Sequence, residues 1–98
     1  MLKKMIQLIF DSGLDQQILQ ILKNLNIQGY TKIANVKGAG TSGFKFGNSV
    51  GPGENNMIIT VIEEKQVARL KSQITVFKKN LMEKQGLKLF ILPVEESI

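Results

Sequence analysis

Four short apolar runs and two stripes of helical spacing divide this chain of 98 residues. Lys4 to Phe10 (KMIQLIF) is nearly all apolar over a length that suits one strand. Leu14, Ile18, Ile21, Leu22 and Leu25 then recur at helical spacing, while Gln16, Gln17, Gln20, Lys23 and Asn24 cover the other side. Ser12, with Asp15 three residues later, predicts a capping box at the start of this helix, and Asn26 to Gly29 supplies its stop signals. Tyr30 to Lys37, carrying the β-formers Tyr30, Thr31, Ile33 and Val36, predicts a second strand. Met57 to Ile62 (MIITVI) predicts a third.

Val67, Leu70, Ile74, Phe77 and Leu81 alternate spacings of three and four, which predicts a second helix with one apolar face. It starts at Glu63 or Glu64, where acids suit the positive end of the helix dipole. Lys71, Lys78, Lys79 and Glu83 point mostly to water, and Gly86 is a natural C-terminal stop. Leu87 to Val94 (LKLFILPV) predicts the fourth strand, with Pro93 near its end and Glu95 to Ile98 as a frayed tail.

The order β-α-β, loop, β-α-β predicts an α+β fold, a ferredoxin-like βαββαβ sandwich. Its four-stranded antiparallel sheet carries both helices on one face, with a long loop between strands two and three. The length fits a single domain spanning 1–98, with the loop 41–55 inside it. A chain of this size buries roughly two-thirds of its unfolded surface, so a true core is expected. In MIQLIF, MIITVI and LKLFILPV both alternating sets of residues are largely apolar. One set packs under the helices; the other would lie bare in a monomer, which predicts oligomerisation through the open sheet face.

The long segment from Val36 to Asn56 is the candidate functional element. Six of the nine glycines fall between Gly38 and Gly53, with Lys45 the one charged side chain among them. Gly38, Gly40 and Gly43 spell a dinucleotide fingerprint, but no helix start follows to hold a pyrophosphate. Gly38 and Gly43 also have phosphate-loop spacing, yet Phe44 stands where that loop needs lysine. What survives is a glycine-rich strand exit able to offer several N–H groups to an anion. A flexible, solvated loop explains the same composition. Phe44 and Phe46 flank Lys45 and either pin the loop or bind a partner.

Composition narrows the chemistry. With no cysteine and no histidine, thiolate and imidazole ligands and every Ser-His or Cys-His pair are absent, so neither a metal nor an enzyme is expected. Glu63 and Glu64 are adjacent and do not face each other, which reads as capping rather than acid-base chemistry. The net charge of +5 favours anionic small molecules. Nucleic acid is not expected, because the lysines are dispersed and one arginine, one tyrosine and no tryptophan leave little for base readout or stacking. The apolar run after Lys3-Lys4 is too short for a signal peptide or a membrane span, so a cytoplasmic location is expected.

The segment Val36-Lys37-Gly38-Ala39-Gly40 at the exit of strand two, together with the element order, resembles the PII-type nitrogen-regulatory signal proteins. Lys3-Lys4 before the first strand, Leu14-Asp15 opening helix one, and Gly86-Leu87-Lys88-Leu89-Phe90 are similar to family segments as well. The resemblance implies a ferredoxin-like homotrimer with its open sheet faces inside. It implies an adenine nucleotide (ATP, ADP or AMP) held in a cleft between subunits. It also implies a loop that docks a partner protein, a membrane transporter included. Carried over by position, it assigns the effector to Lys37, Gly38, Gly40, Gly86 and Lys88, and partner docking to Phe44, Lys45 and Phe46. The chain departs from the family in a shorter loop without tyrosine, hence without a uridylylation site. It departs also in Glu83-Lys84-Gln85-Gly86, where one glycine stands in for several. The alternatives are a trimeric divalent-cation-tolerance-like protein, which shares the architecture but would here lack His and Cys for a soft metal, a small-ligand-binding protein without nucleotide, and an enzyme on the same scaffold, for which no nucleophile-base pair is visible.

Overall fold

The computed structural model describes residues 2–38, 54–81 and 85–98. Its elements follow the predicted order: β1 (Lys3–Asp11), α1 (Asp15–Asn24), β2 (Thr31–Val36), β3 (Asn55–Glu63), α2 (Glu64–Lys79) and β4 (Leu87–Pro93). The strands form one antiparallel sheet in the order β2-β3-β1-β4. β1 is therefore interior, paired along its whole length with β3 and from Lys4 to Phe10 with β4. The expected ferredoxin-like βαββαβ sandwich is the fold found.

Register follows from alternation. Ile6, Leu8 and Phe10 of β1, with Ile58 and Ile62 of β3 and Leu87 of β4, are buried on the helix side of the sheet. They meet Leu14, Ile18 and Leu22 from the first helical segment and Val67, Leu70 and Ile74 from α2. Slipping β1 by one residue would move all three of its core side chains to the opposite face. At about 1.5–3 kcal/mol for each large apolar side chain buried, that cost fixes the pairing.

The opposite face carries the second apolar set. Ile33, Val61, Phe90 and Leu92 remain 45%, 43%, 48% and 38% exposed, beside partly covered Met5, Ile9, Met57 and Ile59. No helix covers it.

The first helix does not start as expected. Asp11, not Ser12, caps a 3-10 turn at Ser12–Leu14, its carboxylate accepting from Gly13 N at 2.8 Å. α1 begins only at Asp15, after Leu14, and no side-chain cap bond forms there. The Ser12–Asp15 capping box is absent because Asp15 is engaged by Lys32 and Asn56 instead. At α2 the acids behave as expected: Glu63 is the N-cap residue, and Gln66 reaches back to its N–H at 3.2 Å.

The stop after α1 is well formed. Asn26 takes a left-handed φ of 62°. Its N–H donates to Lys23 O at 2.9 Å, and Ile27 N donates to Leu22 O at 2.8 Å. These are the two bonds of a Schellman motif, and buried Ile27 supplies its apolar contact. Asparagine tolerates this backbone where alanine does not. Asn26→Ala should therefore lower the unfolding free energy by about 1 kcal/mol, read by urea denaturation at fixed protein concentration, while Asn26→Gly should be neutral or better.

Candidate functional site at one end of the sheet

β2 ends where β3, β4 and α1 begin, so four chain segments converge at one end of the sheet. Val36 pairs with Asn55, Asn55 with Asp11, and Asp11 N donates to Gly86 O at 3.0 Å. Ser12 N adds a bond to Glu54 O at 2.8 Å, tying the start of the α1 segment to the entry of β3.

Lys37 and Gly38 leave this end from β2 and are exposed. Gly86 is exposed just ahead of β4, and Lys88 projects from the open face of the sheet, paired with Ile9. The two segments thus share one end but occupy opposite edges, three strand spacings or about 14 Å apart. Gly40, Phe44, Lys45 and Phe46 lie outside the described residues. Among the described residues a Cβ added at Gly38 or Gly86 would meet no atom within 4 Å. What glycine leaves there is backbone N–H that an external group can approach.

A groove of about 560 Å³ runs between α2 and β4, with Ile74, Leu89 and Ile91 among its apolar lining and Lys71, Lys78 and Lys79 at its side. It lies on the helix side, and none of Lys37, Gly38, Gly86 or Lys88 lines it. Among the described residues no group of three or more acids is placed to hold a metal ion, and no helix is long and apolar enough to cross a membrane.

The residues the sequence reading missed lie beside the end of β2. β2 carries a bulge: Ile33 pairs with Met57, yet Val36 pairs with Asn55, so one extra residue is inserted. Asn35 adopts φ 60° within it and donates its N–H to Asn56 Oδ1 at 3.2 Å. Asn56 Nδ2 donates to Asp15 Oδ1 at 2.8 Å, and Lys32 Nζ meets Asp15 Oδ2 at 2.7 Å. The available signal was alternation: Asn56 and Thr60 share a face with Ile58 and Ile62, so two polar groups fall on the core side. Thr60 is satisfied by the carbonyl of Gly29.

The family model of nitrogen regulatory protein P-II matches residues 3–98. The chain belongs to the PII family. It is by that membership a regulatory protein and not an enzyme. CPII, a PII-like protein from Thiomonas intermedia solved with ADP, AMP and bicarbonate, shares the fold at TM-score 0.68 and 20% identity, over 100% of this chain and 98% of that one. A PII-like signalling protein from Thermus thermophilus follows at 0.66 and 18%, over 95% and 87%. A protein of unknown function from Pediococcus pentosaceus gives 0.66 and 17%, over 100% and 97%. No curated protein matches the chain.

Burial raises the Asp15 pKa, but the bonds from Lys32 and Asn56 and the charge of Lys32 outweigh it, so the carboxyl titrates below its usual value of 3.8. A carboxyl depressed by folding adds stability above its unfolded pKa and loses it as pH falls through the folded one. Stability should therefore drop as pH falls below 3.8, and Asp15→Asn should show a shallower drop there. At neutral pH the same variant should cost about 1 kcal/mol, because the pair is only partly buried. Chemical denaturation at a series of pH values measures both.

Proposed function

We propose that this PII-family protein senses a small anionic effector, an adenine nucleotide, held between the subunits of a homotrimer. The site is the end of the sheet where β2 leads into residues 39–53 and where β4 begins. The observation that carries the reading is that Lys37, Gly38 and Gly86 share this end with their backbone accessible. A phosphate group calls for N–H donors and a cation, and Lys37 and Lys88 bring charge to the same end. In one protomer the two segments stand on opposite edges, so a neighbouring subunit closing over this end turns an open surface into a cleft. The CPII structure with bound ADP and AMP supports the same ligand class here.

The trimer rests on two supports. The open sheet face is too apolar to stay in water, with Phe90, Leu92, Val61 and Ile33 all substantially exposed. The number three follows the PII family and closed symmetry. Residues 41–55, with Phe44 and Phe46 around Lys45, then report the bound state to a partner protein, a membrane transporter included.

Light scattering should give about three times the chain mass. Phe90→Asp, which places a charge on the open face without touching the protomer core, should split the assembly. A wild-type protein that stays monomeric at micromolar concentration would overturn the trimer.

Titration calorimetry with ATP, ADP, AMP and cyclic AMP tests the effector. Binding should be weak, since the Gln85-Gly86 turn offers fewer donors than a multi-glycine loop. Gly38→Val should abolish it by blocking close backbone approach, with folding unchanged because that Cβ has open space. Lys88→Ala should weaken it by roughly tenfold and leave the trimer mass alone. Absence of binding by all four at millimolar concentration would sink the nucleotide reading and favour a small ligand of another class.

A further inference from the structure

We infer that Asn56 is a positioning residue that aims the root of the effector loop. Its carboxamide clamps the β2 bulge to the first residue of α1, and so sets where Lys37 and Gly38 emerge. The ligand consequence rests on the proposed function; the backbone consequence does not.

Asn56 is 5% exposed, on the helix side of β3 beside Ile58. A polar side chain so buried must have its hydrogen bonds met, and here each partner is chemically distinct. The Asn35 N–H needs an acceptor, and the ionised Asp15 needs a donor. A carboxamide supplies one of each, so its orientation is forced, with Oδ1 toward Asn35 and Nδ2 toward Asp15. Aspartate at this position would set a second carboxylate against Asp15. Leucine would leave the Asn35 N–H without its acceptor and Asp15 Oδ1 without its donor, with only the Lys32 bond to Asp15 Oδ2 remaining.

The bulge is what this bond protects. Continuing the pairing of Ile33 with Met57 without interruption would place Asn35 opposite Asn55. The observed partner of Asn55 is Val36. Losing the extra residue would shift Val36 and Lys37 by one position, and a one-residue shift turns each side chain to the other face of the sheet. The left-handed backbone at Asn35 costs energy that the clamp offsets, since the amide of a bulged residue has no partner in the strand ladder. Lys32 completes the arrangement by holding Asp15 from the same strand that carries the bulge.

The test uses the full-length protein and four variants: Asn56→Asp, Asn56→Leu, the exchange Asp15→Asn/Asn56→Asp, and Asn26→Ala. The exchange restores a donor opposite an acceptor, while Asn26→Ala destabilises the far end of α1 without touching the clamp. Backbone amide spectra and hydrogen exchange should show Asn35 exchanging roughly tenfold faster in Asn56→Asp and Asn56→Leu. The resonances of Val36, Lys37 and Gly38 should move with it. The exchange variant should return both toward wild type, and Asn26→Ala should leave them unchanged. Unaltered amides in Asn56→Asp, no recovery in the exchange variant, or an equal disturbance in Asn26→Ala would each overturn the inference. If the wild type binds a nucleotide, affinity should fall by roughly tenfold in Asn56→Asp and recover in the exchange variant. If the wild type binds none, the effector reading has failed, and the amides alone decide the role of Asn56.

Discussion

The fold depends on a mismatch between surface to be buried and helices to bury it. β1 and β3 are apolar on both faces, and β1 is held between β3 and β4, so the sheet has two faces to remove from water. Two amphipathic helices cover one of them. Everything on the helix side then follows from ordinary packing: Ile6, Leu8 and Phe10 set the register, and α1 and α2 supply the facing residues. The uncovered face makes a lone protomer an incomplete unit, and this is the physical reason to read the protein as an assembly.

The same topology brings the two candidate segments to one end of the sheet. In this strand order β2 runs toward the end from which β3 and β4 start, so Lys37 and Gly38 come to the level of Gly86 whatever the intervening sequence. They arrive at opposite edges, and sheet geometry keeps them there. Among the described residues nothing packs within 4 Å of the place where a side chain would start at either glycine.

Much of this was legible in the sequence because it rests on periodicity. The strands MIQLIF, MIITVI and LKLFILPV, the two helical stripes and the apolar second face all follow from which positions are apolar, and packing enforces those positions. The local details were less legible, because they depend on pairs of residues far apart in sequence. Ser12 and Asp15 have capping-box spacing, but Lys32 and Asn56, 17 and 41 residues away from Asp15, win its carboxylate. The bulge at Asn35 carries no glycine to announce it; a side chain 21 residues later holds it. At the candidate site, Lys37, Gly38, Gly86 and Lys88 were found by resemblance, whereas their meeting at one end of the sheet needed the strand order.

Asn56 joins these two levels. It sits at the start of β3 and places a polar group at a buried position that an apolar residue would fill at lower desolvation cost. Such a position is stable only when every bond is made, which ties three elements together: α1 through Asp15, β2 through Asn35, and β3 through its own backbone. A network that is complete in one arrangement and costly in any other resists small drifts. This matters because Lys37 and Gly38 leave β2 directly after the bulge. Within the proposed trimer, the direction given by the bulge decides whether Lys37 and Gly38 face the cleft between subunits or turn away from it. On the proposed reading, the aim of the site is thus set from inside the core, while its closure would fall to the neighbouring subunit.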